Sequence, residues 1–155
     1  LADYCSAPIF AYPVSTVKAE KLRPVLGKLH TLKPNRLEAE LLSGVPITGT
    51  ASLHRAAQTL LETGLHRVFI SLGADGVYAA DQSGSVTLPA PKAEMVSTTG
   101  CGDSFMAALT WAYLQGSDLE RSARAGLAAS SLTMESAETI HPAMSEAELL
   151  RHMAL

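Results

Sequence analysis

The chain has 155 residues, of which 47% are hydrophobic and 17% charged, which suits one packed domain of a soluble globular protein. Its net charge of −3 argues against a nucleic-acid or membrane-surface partner, since either would need a basic patch. No apolar run approaches the roughly 20 residues of a membrane span, and the start lacks the layout of a signal peptide.

The beginning of the chain predicts a strand followed by a helix. Residues 8–14 form an apolar run bounded by prolines, which is typical of a buried strand. Ser15 or Thr16 can then cap a helix, in which Pro24 produces a kink or a restart. Strand followed by helix is the unit from which parallel sheets are built.

Residues 32–40 place an amide and a carboxylate directly after a second strand. Leu32 ends the strand, Pro34 blocks its continuation, and Asn35 can cap a helix that carries Glu38 three residues later. A capping box explains this pair fully without any function. The carboxyl ends of strands are also where α/β folds place ligand groups, so both interpretations stay open.

A helix over residues 53–61, ending at Gly64, and a strand over residues 67–72 come next. Ser71-x-Gly73-x-x-Gly76 then leads into short strands over residues 77–80 and 85–88, as a strand–turn–strand arrangement requires. His54 and His66 have no spacing typical of metal ligands, so both are interpreted as surface or structural residues.

Residues 96–105 form a loop that leads into an apolar helix over residues 105–114. Gly100 and Gly102 remove side-chain bulk, so the N–H groups of residues 100–103 can converge on phosphate oxygens at the helix start. Asp103 would repel such an anion, which indicates chemistry: a base that takes a proton from a hydroxyl attacking a phosphoryl group. Alternatively, the preceding threonines are turn residues and Asp103 caps the helix.

The last third of the chain is predicted to be helical. Gly116 ends the apolar helix, and an Ala- and Ser-rich helix over residues 119–134 contains Gly126, which would let another surface approach closely. A loop over residues 139–142 follows, and Ser145 begins a terminal helix with Glu148 three residues later.

Three motifs, in this order, resemble those of the ribokinase-like (PfkB) carbohydrate and nucleoside kinases: Asn35-x-x-Glu38, Ser71-x-Gly73-x-x-Gly76 and Thr99-Gly100-Cys101-Gly102-Asp103. The resemblance implies a three-layer α/β/α fold with a mostly parallel sheet and a small antiparallel edge. It also implies a phosphotransferase that uses ATP and Mg²⁺ and takes the hydroxyl of a small sugar or nucleoside as acceptor.

The resemblance also implies a role for each matched residue. Asp103 would be the catalytic base, and the turn formed by Gly100, Cys101 and Gly102 would be the anion hole for the transferred phosphoryl group. The motif Asn35-x-x-Glu38 would position Mg²⁺, largely through water. The remaining matched residues would contact ATP, namely Ser71, Gly73, Gly76 and Gly126. Gly126 lies on the helix that lines the adenine site, although tight helix packing explains it equally well.

Within the family, Pro13-Val14-Ser15-Thr16-x-Lys18 and residues 32–40 resemble the pseudouridine kinase branch. That branch implies phosphorylation of the 5′-hydroxyl of pseudouridine. The alternatives are another sugar or nucleoside kinase of the family, or a nucleotide-binding fragment without catalysis. Tyr12 stands where the branch usually has Asp. Ser97 stands where the family often has Asp or Asn, sometimes at a monovalent-cation site, so potassium activation is not implied.

Kinases of this family are longer than this chain, because an N-terminal half supplies most of the acceptor pocket and a β-sheet lid. Residues 1–155 are therefore interpreted as the C-terminal nucleotide-binding half, which is expected to be inactive alone. The lid commonly pairs these enzymes, so a homodimer through it is allowed for the longer protein. The cysteines Cys5 and Cys101 lack CxxC spacing, which favours a reduced, cytoplasmic protein.

Overall fold

The computed structural model describes residues 2–154, and these divide into two compact units. The first unit comprises the residues up to Leu72 together with Tyr78–Thr87. The second unit comprises Gly73–Val77 and the residues from Leu88 onwards.

A single mixed sheet runs through the first unit. Strands β1 (Phe10–Ala11), β2 (Thr31–Leu32) and β3 (Arg67–Ser71) pair in parallel. Strands β4 (Val77–Asp81) and β5 (Gly84–Leu88) extend the sheet in the order β1-β2-β3-β4-β5. The link between β4 and β5 is too short for a crossover, so these two neighbours are antiparallel. The expected parallel sheet with an antiparallel edge is therefore confirmed.

The first helix of the first unit begins at one of its two expected caps. The Ser15 hydroxyl accepts a hydrogen bond from the Lys18 N–H and begins helix α1 (Thr16–Ala19). A 3-10 helix, Glu20–Lys28, continues from it and contains Pro24, whose missing N–H is compatible with this tighter winding. Helices α2 (Arg36–Ser43) and α3 (Thr50–Leu61) follow, and apolar side chains from both pack with those of β2, β3 and β4 to form the core of this unit.

The first strand differs from its prediction. Residues 8–14 were expected to form a buried strand, yet β1 contains two residues, both half-buried. It is the edge strand of the described sheet, and Pro8 and Pro13 on either side have no N–H to donate to a ladder.

Val14, which follows Pro13, has a φ of 67° and is the one non-glycine residue with a positive φ in residues 2–154. A β-branched side chain in this left-handed region is strained because its Cβ crowds the neighbouring carbonyl oxygen.

The second unit contains helices α4 (Cys101–Leu114), α5 (Leu119–Met134) and α6 (Glu146–Met153). Alanines of α4 and α5 pack together with Leu149 of α6, and their small side chains allow the helices to approach closely. Asp118 and Ser145 cap α5 and α6. In residues 2–154, no helix is both long enough and apolar enough to cross a membrane.

Candidate functional site

The first candidate region lies where β2 and β3 end. Asn35 and Ser71 form an isolated parallel bridge, and the Ser71 N–H donates to the Pro34 carbonyl oxygen at 3.0 Å. Two of the predicted site residues are therefore neighbours at the carboxyl ends of adjacent parallel strands. This is the edge at which open α/β sheets bind their ligands.

Asn35 and Glu38 form the predicted capping box at the start of α2. The Asn35 Oδ1 accepts a hydrogen bond from the Glu38 N–H at 2.9 Å, and the Glu38 Oε2 accepts one from the Asn35 N–H at 2.9 Å. Glu38 is only 3% exposed, whereas Asn35 is exposed. The capping interpretation is confirmed, and a role of the same pair toward Mg²⁺ stays a prediction.

The donor set of this pair fits Mg²⁺ held through water. Carboxylate and amide oxygens are the ligands Mg²⁺ prefers, and the ion keeps several of its waters in proteins. Oxygens that already accept backbone N–H groups can also accept hydrogen bonds from metal-bound water without leaving the cap. No cluster of three or more His, Cys, Asp or Glu side chains suited to direct metal binding occurs within residues 2–154.

Lys33 belongs to the same region and was not singled out from the sequence. Lys33 as a whole is 8% exposed, and its Nζ donates to the Ser71 Oγ at 3.4 Å and lies 5.8 Å from the centre of the Tyr12 ring. A buried ammonium is costly unless polar or aromatic groups compensate it. The position of Lys33 in the sequence, between the strand residue Leu32 and the strand-ending Pro34, could have indicated a lysine at the end of a buried strand.

The glycines after β3 shape a tight turn in the second unit. Gly73 and Gly76 have φ values of 65° and 94°, and the Gly76 N–H donates to the Gly73 carbonyl oxygen at 3.1 Å. A Cβ on Gly76 would overlap the Leu88 carbonyl oxygen. Turn geometry therefore accounts for both glycines, and their contact with ATP stays a prediction.

The second candidate region is the start of α4. Gly100, with a φ of 84°, is the N-cap residue, and α4 begins at Cys101, four residues earlier than predicted. The suggestion that Asp103 caps this helix is wrong, because Asp103 lies inside the first turn, where its side chain is exposed. An acid in the first turn is also favourable to the helix dipole.

Glycine is required at position 100 by packing as well as by its φ. A Cβ there would overlap the Thr139 carbonyl oxygen and lie 2.9 Å from the Thr139 Cγ2. The loop over residues 139–142 is thus in contact with the glycine turn. Among the amides of this turn, the Cys101 N–H donates to the Thr98 carbonyl oxygen at 3.3 Å, which is a long hydrogen bond.

The loop before α4 is fastened to the end of α5. The N–H groups of Val96 and Ser97 both donate to the Met134 carbonyl oxygen, at 3.0 and 3.1 Å. The Ser130 hydroxyl donates to the Cys101 carbonyl oxygen at 2.8 Å, and the Cys101 Sγ lies 3.6 Å from the Ser130 carbonyl oxygen. Cys101 thus fills the space between two helices.

Gly126 on α5 is covered by an aromatic ring. A Cβ at this position would overlap the ring of Phe105 from α4. Tight helix packing, one of the two interpretations of this glycine, therefore accounts for its contacts. Its role toward a nucleotide stays a prediction.

A cleft of about 560 Å³ lies elsewhere in the second unit and was not predicted. It is bounded by residues 88–92, one face of α5 and the end of α6, and its lining includes Arg124, Leu127, Ser131, His152 and Met153. Pockets for small molecules commonly have this size. The α5 residues in the lining recur at helical spacing, on a face that excludes Gly126.

His54 and His66, interpreted from the sequence as surface or structural residues, both contact other side chains. His54 Nδ1 lies 2.8 Å from the Tyr78 hydroxyl oxygen. His30 stacks between Phe10 and His66, with ring centres 5.3 Å apart on each side. Burial lowers the pKa of His30 from its ordinary value, and repulsion from His66 and Arg67 lowers it further.

Comparisons with known proteins identify relatives along nearly the whole chain. The profile of the pfkB family of carbohydrate kinases matches residues 6–146. The chain is 38% identical over 151 residues to the pseudouridine kinase of Escherichia coli (strain K12), which covers 97% of this chain and 48% of that protein. It is 35% identical over 112 residues to the ribokinase of Staphylococcus aureus (strain COL), covering 72% of this chain and 37% of that protein.

The solved structures that resemble this chain include sugar kinases, as the sequence relatives do. A candidate sugar kinase from Clostridium perfringens has a TM-score of 0.91 and 36% identity, and the match covers 95% of this chain and 46% of that one. Arabidopsis thaliana ribokinase, solved with ribose and ATP, has a TM-score of 0.79 and 25% identity over 96% of this chain and 48% of that one. The chain thus spans about half or less of the length of these relatives. It belongs to the pfkB family of carbohydrate kinases and has the ribokinase-like fold.

Proposed function

We propose that this chain is the C-terminal, nucleotide-binding half of a longer kinase that phosphorylates the 5′-hydroxyl of pseudouridine with ATP. The observation that carries the acceptor assignment is the 38% identity over 151 residues to the Escherichia coli pseudouridine kinase. Phosphoryl transfer itself is supported by the family membership.

Asp103 is proposed to be the general base. It would take the proton of the 5′-hydroxyl while that oxygen attacks the γ-phosphorus and ADP leaves. Its exposed position in the first turn of α4 supports this role. The backbone of Gly100, Cys101 and Gly102 would stabilise charge on the phosphoryl group, because first-turn N–H groups lack partners within their own helix. The long Cys101-to-Thr98 hydrogen bond could be exchanged for one to a phosphate oxygen at little cost.

Asn35 and Glu38 are proposed to hold Mg²⁺ through water, and Lys33 is proposed to add a positive charge at the same strand ends. Bound Mg²⁺ supplies charge neutralisation on the triphosphate. The exposed Asn35 side chain and the two oxygens of the buried Glu38 support this assignment. Ser71 is proposed to contact ATP through its hydroxyl.

The cleft of about 560 Å³ beside α5 is proposed to receive the adenine base. Its lining combines apolar side chains, such as Leu127, with polar ones, such as Ser131, which suits a heteroaromatic ligand. Gly73 and Gly76 would present backbone groups to ATP, and Gly126 would act by letting α4 and α5 pack closely.

The proposed enzyme works in the cytoplasm on a small-molecule acceptor, without a nucleic-acid or membrane partner. A homodimer would form through the lid supplied by the rest of the protein. Potassium activation is not part of the proposal, because the hydroxyl of Ser97, which accepts the Thr99 N–H at 3.2 Å, replaces the usual Asp or Asn.

Two alternatives are kept. The first is another sugar or nucleoside kinase of the family, which the 35% identity to Staphylococcus aureus ribokinase favours. The second is a nucleotide-binding fragment without catalysis, which the coverage of only 48% of the pseudouridine kinase favours.

The test is ADP release by the full-length protein with Mg-ATP and pseudouridine, uridine, ribose or fructose 6-phosphate. Strong preference for pseudouridine is expected. Preference for another acceptor would replace the substrate and keep the family chemistry. ATP binding without turnover on any acceptor would favour the binding-only alternative.

A further inference from the structure

We propose that Tyr12 is a positioning residue for nucleotide binding, acting through the ammonium group of Lys33. The ring of Tyr12 holds that ammonium at the ends of β1, β2 and β3, next to Ser71. The consequence for ATP rests on the function proposed above, whereas the pairing of Tyr12 with Lys33 does not.

The backbone brings the pair together. The Lys33 N–H donates to the Ala11 carbonyl oxygen at 3.0 Å, so Lys33 continues the pairing of β2 with β1 to the position beside Tyr12. The Lys33 Nζ then lies 5.8 Å from the Tyr12 ring centre and 3.4 Å from the Ser71 Oγ. Side chains from three neighbouring strand ends therefore meet at one ammonium group.

The burial of Lys33 strengthens the attraction between its ammonium and the Tyr12 ring. At 8% exposure, Lys33 has lost most of its hydration, and an ammonium attracts a ring face more strongly when it is desolvated. The distance of 5.8 Å lies within the range in which this attraction acts.

An aromatic partner and an acidic partner affect the charge and the N–H donors of the lysine differently. A carboxylate at position 12 would neutralise the lysine and occupy its N–H donors. A ring face attracts the cation without itself neutralising the charge or accepting the N–H donors as a carboxylate does. Tyr12 would thus fix the ammonium without adding a negative charge beside it, which suits an ammonium that contacts a phosphate oxygen.

The first experiment compares Tyr12→Phe and Tyr12→Leu in the full-length protein by steady-state kinetics with Mg-ATP. Tyr12→Leu is expected to raise the KM for Mg-ATP by about 2- to 30-fold with a smaller change in kcat, because the ring contact is lost. Tyr12→Phe keeps the ring and should stay within about twofold of the wild type. Phe10→Leu is the matched control, since it removes a ring that lies two residues away and stacks on His30.

A double-mutant cycle separates positioning from general support of the fold. In a Lys33→Met background, Tyr12→Leu should leave the KM for Mg-ATP unchanged, because the group through which Tyr12 acts is gone. An equal effect of Tyr12→Leu in both backgrounds would overturn the proposal.

The pair is also tested without any kinase activity, by acetylating the protein with acetic anhydride and measuring Lys33 modification by mass spectrometry. With exposed Lys18 as internal reference, Tyr12→Leu should change the Lys33 rate by about 2- to 30-fold and Tyr12→Phe should change it little. Equal rates of Lys33 acetylation in all three proteins would show that Tyr12 does not hold the Lys33 ammonium.

A changed rate of Lys33 acetylation with an unchanged KM for Mg-ATP would show that the contact between Tyr12 and Lys33 has no role in nucleotide binding. If the wild type turned over no acceptor, only the proposed function would be rejected. The acetylation rates would still show whether Tyr12 contacts the Lys33 ammonium.

Discussion

The Ser104 hydroxyl oxygen lies 2.6 Å from the Thr133 hydroxyl oxygen and joins the first turn of α4 to the last turn of α5. Thr133 is 0% exposed, so its hydroxyl cannot turn to water if this partner is removed. Ser104→Ala should therefore lower the free energy of unfolding by about 1–3 kcal/mol, measured by urea denaturation. Ser104→Ala combined with Thr133→Val removes both polar groups and should recover part of that loss. Strictly additive effects of the two single changes would contradict this pairing.

Asp103→Asn tests the proposed base. The full-length variant should bind Mg-ATP within a few-fold of the wild type by calorimetry, yet its kcat should fall by roughly 10² or more, because an amide cannot take the proton. Asp118→Asn is the matched control, since Asp118 also lies at the amino end of a helix and is outside the proposed machinery. It should keep full turnover. Full turnover in Asp103→Asn would remove Asp103 from the mechanism.

Gly126→Ala distinguishes the two interpretations of this glycine. The added methyl would overlap the Phe105 ring, so the free energy of unfolding should fall by about 1–3 kcal/mol. Gly49→Ala is the control, because Gly49 is extended and has open space around its Cα, and it should cost less than about 1 kcal/mol. Adding Phe105→Leu should restore part of the loss. Unchanged stability with a raised KM for ATP would instead favour a direct nucleotide contact.

His30 should make stability depend on pH. Because its pKa is lower in the folded protein than the ordinary value of 6.5, the unfolded chain binds the proton more readily. The stabilisation is fully present above about pH 6.5 and is lost as the pH falls through that value toward the lower folded pKa. Urea unfolding between about pH 8 and about pH 5 should show this decline, and His30→Gln should reduce it. An identical pH profile in His30→Gln would assign the decline to other groups.

Val14→Gly should stabilise the protein, which is unusual for a change to glycine. It relieves about 1–2 kcal/mol of left-handed strain and costs about 0.5–1 kcal/mol of backbone entropy, so a net gain of up to about 1.5 kcal/mol is expected. Val17→Gly, at an exposed helical position nearby, should instead lose about 0.5 kcal/mol, the difference between the helix propensities of valine and glycine. Thermal unfolding of the two variants compares them, and a loss in both would refute strain at Val14.

Features fixed by neighbouring residues could be predicted from the sequence, and features created by packing could not. The caps at Asn35, Asp118 and Ser145 use side chains within three residues of their partners, so the starts of those helices follow from local chemistry. The start of α4 was misjudged because a glycine cap offers no side-chain signal. The contact between Tyr12 and Lys33 joins separate strands, which no local pattern reveals.

Because Asn35 and Glu38 form a capping box, the presence of this motif in a related sequence is not evidence that the sequence is an active kinase. Both side chains are needed to begin α2 whether or not a metal ion is ever held there, so folding alone would preserve them. A related sequence without phosphoryl transfer would therefore still retain Asn-x-x-Glu, whereas α4, which carries Asp103, begins without a side-chain cap hydrogen bond. If Asp103 is the base proposed above, divergence at position 103, rather than at the strand-end pair, would mark the loss of activity among related sequences.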